Sequence, residues 1–131
     1  MDTRKENIIV KLTFEFALDI VALSEVLEEN RKYVIARQIL KSGTSVGANV
    51  REAQNAESKS DFIHKMKIAL KEADETQYWL DIIQQSEGYP DVKELKEKII
   101  SIDKVLTKIV SSSKTTNIKS LSNYQIDKSS N

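Results

Sequence analysis

The chain has 131 residues, with twenty Lys and Arg against twenty Asp and Glu, three Gly, one Pro, one His and no Cys. That length holds one domain around one hydrophobic core, and the charge balance neither favours nor excludes a nucleic-acid partner by bulk attraction. The lack of Cys excludes disulfides, thiolate nucleophiles and Cys-based zinc or iron–sulfur sites, and a single His excludes multi-His metal chemistry.

With 40% hydrophobic and 31% charged residues the composition is globular, and so few Gly and Pro suit long helices joined by short loops. The expected class is therefore all-α. No segment approaches the roughly 18 to 20 apolar residues that span a bilayer, and the start, Met1 to Glu6, is charged, so no membrane partner and a cytoplasmic location are expected.

The first helical pattern runs from about Asn7 to Glu29, with Ile9, Leu12, Phe16, Ile20, Leu23 and Leu27 spaced three or four apart. Val10, Phe14, Ala17 and Val21 form a second row beside it, an apolar arc wider than a lone bundle needs. Burial against a second chain would account for the excess.

The second pattern, about Arg31 to Ala56, carries Ile35, Ile39, Ser42, Val46, Asn49, Ala53 and Ala56 as its stripe. Gly43 and Gly47 share one face beside it, and each Gly costs a helix roughly 1 kcal/mol relative to Ala. Close approach of another helix backbone would compensate; the alternative is a loop over Ser42 to Asn49 between two shorter helices. Asn49 has two readings, a residue that sets register or assembly through a hydrogen bond to a neighbour, or one bonded to a backbone carbonyl within its own bundle.

Ser58 or Ser60 can cap the third helix, whose stripe reads Phe62, Met66, Ala69, Ala73, Thr76, Leu80 and Ile83. Gly88 and Pro90 separate it from a fourth, with Val92, Leu95, Ile99, Ile102, Leu106 and Ile109, that ends near Ser111 to Ser113. The expected architecture is an up-down-up-down antiparallel four-helix bundle over 1–113, with a polar, flexible tail over 114–131.

Catalytic constellations are sparse. Asp61 and His64, three apart, supply two ligands where a transition metal wants at least three. Glu72, Glu75 and Trp79 share a face of the third helix with Ile68 and Ile82, but the Glu-x-x-His pairs of di-iron bundles are missing. No phosphate-binding glycine loop and no Ser–His pairing is evident, so no enzyme, cofactor, metal or small-molecule substrate is expected. The polar strip at Glu72, Glu75 and Trp79 faces solvent or a partner. Arg37, Lys41 and Arg51 project from one face of the second helix with only Thr44 and Ala48 in the intervening turns, a candidate phosphate-backbone contact or a solvated face paired with acids such as Glu52.

The run from Arg37 to Ala53, with Lys41-Ser42-Gly43-Thr44-Ser45-Val46-Gly47-Ala48-Asn49-Val50-Arg51-Glu52, resembles the second helix of the bacterial four-helix-bundle proteins encoded in intervening sequences of 23S rRNA genes and often called ribosomal-protein-like. Ser58-Lys59-Ser60-Asp61-Phe62, Ile68 to Ala73 and Tyr78-Trp79-Leu80 resemble its third helix, and Asn7-Ile8-Ile9 with Phe16-Ala17-Leu18 its opening. The resemblance implies a subunit that assembles with itself into a ring, typically a homopentamer. A related branch, the accessory variability determinant of diversity-generating retroelements, implies a reverse transcriptase or nucleic acid as partner. That branch is basic, whereas residues 1–113 here hold 17 basic and 19 acidic side chains, a net of −2. Two functions follow: a non-enzymatic homo-oligomeric interaction scaffold with Gly43, Gly47, Asn49, Glu72, Glu75 and Trp79 in packing and assembly, or a nucleic-acid-associated accessory protein working through Arg37, Lys41 and Arg51.

Overall fold

Apolar side chains at three- and four-residue spacing give each segment one face that must leave water, and four such segments satisfy one another by packing side by side. The computed structural model describes residues 3–125, with side chains from 8 to 114. Its helices are α1 (Thr3–Glu29), α2 (Tyr33–Ala53), α3 (Lys59–Gln85) and α4 (Lys93–Gln125). Each packs on the next and α4 returns to α1 with the least extensive contact. The described residues thus form an all-α, up-down-up-down four-helix bundle without strands. None of the described helices is long and apolar enough to cross a membrane.

The core follows the expected stripes. Phe16 and Ile20 from α1, Ile39 and Val46 from α2, Met66, Ala69 and Leu80 from α3, and Ile99, Ile102 and Leu106 from α4 are all buried. Each of the larger ones contributes about 1.5 to 3 kcal/mol by leaving water. Several stripe positions differ from expectation: in α1 Leu12 is 37% exposed and Thr13 is fully buried instead, and Ile35, Asn49, Ala56, Leu95 and Ile109 are only half-buried, with Ala36, Val50 and Val110 buried beside three of them. Thr13 sits opposite Gly47, where space is short, and its hydroxyl donates to the Ile9 carbonyl at 2.8 Å, so the buried polar group is satisfied.

The segment Ser42 to Asn49 is continuous helix, not a loop. Its glycines mark the close α1–α2 approach: a Cβ on Gly43 would stand 2.8 Å from Ile20 Cγ1, and one on Gly47 would stand 3.1 Å from the Thr13 carbonyl oxygen. Asn49 donates to the Ser45 carbonyl at 2.9 Å, the second of its two expected roles. Ser58 is the cap of α3, accepting from the Asp61 amide at 3.0 Å. The helix ends differ from the sequence pattern in four places. α1 begins earlier, at Thr3, and α2 ends at Ala53 instead of Ala56, where the Gln54, Asn55 and Ala56 amides close tighter turns on the Arg51, Glu52 and Ala53 carbonyls. The other two are at the α1–α2 turn and the end of α4. Arg31 lies at φ 64°, and the amides of Arg31 and Lys32 close on the Glu28 and Leu27 carbonyls, which ends α1 and delays α2 to Tyr33. At the other terminus α4 continues past Ser111 to Ser113 as far as Gln125, a stretch free of Gly and Pro with Ile118 and Leu121 in helical spacing. Of the polar segment 114–131, residues 126–131 lie outside the described residues.

Candidate interaction surfaces

α1 leaves part of its apolar surface uncovered. Phe14 is 50%, Leu18 55% and Val21 39% exposed, while Val10 and Ala17 are half-buried beside them. At Gly47, which carries no side chain, the outer edge of the α1–α2 seam is a groove of about 420 Å³, with Val10, Phe14 and Ala17 on one wall, Thr44, Ala48, Arg51 and Glu52 on the other, and Asn55 at its end. The Thr44 hydroxyl donates to the Leu40 carbonyl at 2.7 Å, so it leaves the groove without a free polar group there. Arg51 lies with its guanidinium carbon 5.6 Å from the Phe14 ring centroid, a cation–π contact at the groove's mouth.

Arg37, Lys41 and Arg51 are all exposed on α2, and within the described residues none stands in ion-pair range of a carboxylate. The acid nearest in sequence, Glu52, is bound instead by Lys65 of α3 at 2.9 Å, which holds the Lys65 ammonium above its usual pKa. The Arg51–Phe14 stacking was not legible in the sequence, since it depends on the closeness of α1 and α2. The only advance signal was the pair of glycines.

A second surface lies on α3. Trp79 is half-buried and its indole N–H donates to the Glu75 carboxylate at 3.1 Å, while Tyr78 packs edge-on against it with ring centroids 5.3 Å apart. Glu72 is half-buried and Glu75 exposed, and neither has a cation in ion-pair range among the described residues. The structure thus brings Glu72, Glu75 and Trp79 together on one face, separate from Gly43 and Gly47, which face α1. Asn49 contributes its polar tip to its own helix.

A feature without sequence warning lies between α3 and α4. Asp74 and Asp103 face each other there, and partial burial together with the Asp103 carboxyl pushes the Asp74 pKa up. Gln77 and Thr107 donate to Asp103 at 3.1 and 3.3 Å. Further along the same seam the Lys114 ammonium holds the Lys67 pKa down. Among the described residues no three His, Cys, Asp or Glu side chains converge as a metal site would require, and His64 is exposed.

Four helices packed in sequence, without strands among the described residues, define the class: an all-α four-helix bundle. Residues 5–108 match the family described as 23S rRNA-intervening sequence protein, and the chain belongs to that family. A crystal structure of a protein of unknown function from the S23 ribosomal protein family of Bacteroides thetaiotaomicron VPI-5482 is 42% identical in sequence, with a TM-score of 0.78. The match covers 82% of this chain and 98% of that one. No curated protein matches the chain.

Proposed function

We propose that this protein is a non-enzymatic interaction scaffold that assembles with copies of itself. The carrying observation is the uncovered row of Phe14, Leu18 and Val21 on α1, contiguous with the Val10 and Ala17 groove wall. Apolar surface gathered in one place costs solubility unless a partner removes it from water. The resemblance to ring-forming bundles supplies the partner, a second copy, and the number five. Light scattering at micromolar concentration tests this: a pentamer mass is expected, and a monomer mass overturns it.

A second reading, a nucleic-acid-associated accessory protein, is favoured by the exposed cations Arg37 and Lys41, which no carboxylate neutralises among the described residues. A local patch attracts phosphate even when net charge is zero. Binding of this kind is indifferent to base sequence and falls steeply with salt. Retention of RNA or DNA at about 50 mM salt, weakened by Arg37→Gln with Lys41→Gln, is the expected result, and no retention by the wild type removes this reading.

A further inference from the structure

We propose that the outer α3–α4 edge is a binding site for a chain of phosphates, held by Lys67 and Lys114 at one step and by Lys71 and Lys108 at the next. The site uses none of the α2 cations and is complete within one subunit, so it goes beyond both readings above.

The chain is neutral overall, yet its charges are sorted along the bundle. On α3 no Asp or Glu occurs from Phe62 to Lys71, a stretch that includes His64, Lys65, Lys67 and Lys71. On α4 none occurs from Lys104 to Gln125, a stretch that includes Lys104, Lys108 and Lys114. The antiparallel register that sets Asp81 against Lys96 and Gln77 against Asp103 brings these two stretches side by side, with Lys71 against Lys108. Lys67 and Lys114 meet further along, close enough that the second ammonium holds the pKa of the first down. Lys67, Lys71, Lys104, Lys108 and Lys114 are all exposed, and none has a carboxylate in ion-pair range among the described residues. Lys65 differs, since it turns to α2 and binds Glu52. The opposed Asp74 and Asp103 bound the strip on the side of the α3–α4 turn.

Two ammonium groups brought together without a counterion repel each other, and an anion between them removes that cost. Lysine suits the task, because its compact charge takes a phosphate oxygen from any direction and demands no planar partner. Phe62, the one aromatic residue within 62–71 and 104–114, is buried, so the strip offers charge without a platform on which a base would stack. Spacing decides the valence of the ligand. With a rise of about 1.5 Å per residue, Lys67 and Lys71 stand about 6 Å apart along α3, and Lys108 and Lys114 about 9 Å apart along α4. One tetrahedral anion does not reach both pairs, whereas linked phosphates do. A condensed phosphate and a nucleic-acid backbone present the same chemistry, and the probes below separate them.

Titration calorimetry on the full chain at about 50 mM salt, with inorganic tripolyphosphate as the probe, tests this. The wild type is expected to bind it, and Lys67→Gln with Lys114→Gln, or Lys71→Gln with Lys108→Gln, to weaken binding by about tenfold or more. Arg37→Gln with Lys41→Gln is expected to leave it unchanged. Without anion, the Lys67→Gln, Lys114→Gln variant is expected to melt no lower than the wild type, since it loses only a repulsion, and this separates a lost contact from a lost fold. A short RNA duplex that the wild type binds and the same two variants release identifies a nucleic-acid backbone as the source; tripolyphosphate bound without the duplex identifies a condensed phosphate. The proposal is overturned if the wild type does not bind tripolyphosphate, or if the α2 variant weakens binding as much as the α3–α4 variants do. Orthophosphate or a polyglutamate peptide bound as tightly as tripolyphosphate overturns it as well.

Discussion

The two helical hairpins of this bundle share one apolar core but differ along the edges of their seams. In α1–α2 the seam is steric: Gly43 and Gly47 let the backbones approach until a single methyl group would collide with Ile20 or the Thr13 carbonyl. In α3–α4 the buried apolar contact is flanked by an edge of charges that is uneven along its length. Near the turn Lys96 binds Asp81 at 3.1 Å, but further from it Asp74 opposes Asp103, and Lys67 opposes Lys114. A seam fixed by shape is intolerant of added volume and indifferent to pH. An edge of like charges has the reverse sensitivities.

Both hairpins rest on the same core, and truncations there are expected to have the largest effects and to be similar in size. Phe16→Ala in α1 is expected to cost about 3 to 5 kcal/mol and Leu80→Ala in α3 about 2 to 5, since both side chains are buried. Denaturant titration measures both; a loss under about 1 kcal/mol at either position means that its hairpin does not share the cooperative core. Next in size is Gly43→Ala. The helix gains about 1 kcal/mol in propensity, but overpacking against fully buried Ile20 costs about 1 to 3, so a net loss of about 1 kcal/mol is expected. A rise in thermal midpoint would show that Ile20 moves aside freely and that the seam is not sterically limited.

How far this was legible in the sequence depends on whether local spacing or tertiary placement decides a residue's role. Phe16, Ile39 and Leu80 announce themselves because a helix repeats every 3.6 residues and a core wants one face. Leu12 misleads for the same reason: it continues the spacing as well as Thr13 does, and hydrophobicity favours it. Only the narrow gap opposite Gly47 selects the smaller residue. Arg37, Lys41 and Arg51 do share a face as their spacing requires, yet Arg51's place over Phe14 arises from the angle between two helices. The Asp74–Asp103 opposition has no local signature, because neither helix alone contains it. The Ser111 to Ser113 cluster reads as a stop, but serine weakens a helix far less than Gly or Pro does, and α4 continues.

The turns extend the comparison. The α3–α4 turn places Gly88 at φ 86°, where a glycine is at ease, whereas the α1–α2 turn places Arg31 at φ 64°. A side chain in the left-handed region costs about 1 to 2 kcal/mol, which the added flexibility of an unfolded glycine offsets in part. Arg31→Gly is therefore expected to stabilise by about 0.5 kcal/mol, and Gly88→Ala to destabilise by about 1, although a Cβ there meets no atom within 4 Å. Equal responses at the two turns would show that backbone conformation does not distinguish the hairpins.

The smallest expected effect tests the charged edge directly. Asp74 titrates above the usual carboxylate range in the folded chain, chiefly through desolvation and then through the Asp103 carboxyl. The folded state therefore binds a proton more tightly than the unfolded state does. Its contribution to stability is fully present below the unfolded carboxylate pKa of about 3.9 and is lost as pH rises through the raised folded value. Asp74→Asn removes that titration while leaving Asp103 its bonds from Gln77 and Thr107. At pH 7 the variant is expected to exceed the wild type by a few tenths of a kcal/mol, a size set by the exposure of Asp74, and the gain is expected to vanish near pH 3. Asp91, at the start of α4, has the opposite sign: the Lys93 amide and then Gln84 hold its pKa down, so its contribution is lost as pH falls. Thermal midpoints of the wild type and Asp74→Asn across pH 3 to 8 separate the two. A difference that stays constant over that range would mean that Asp74 and Asp103 do not share their charge, and that the far end of the α3–α4 seam is loosened by something other than like-charge repulsion.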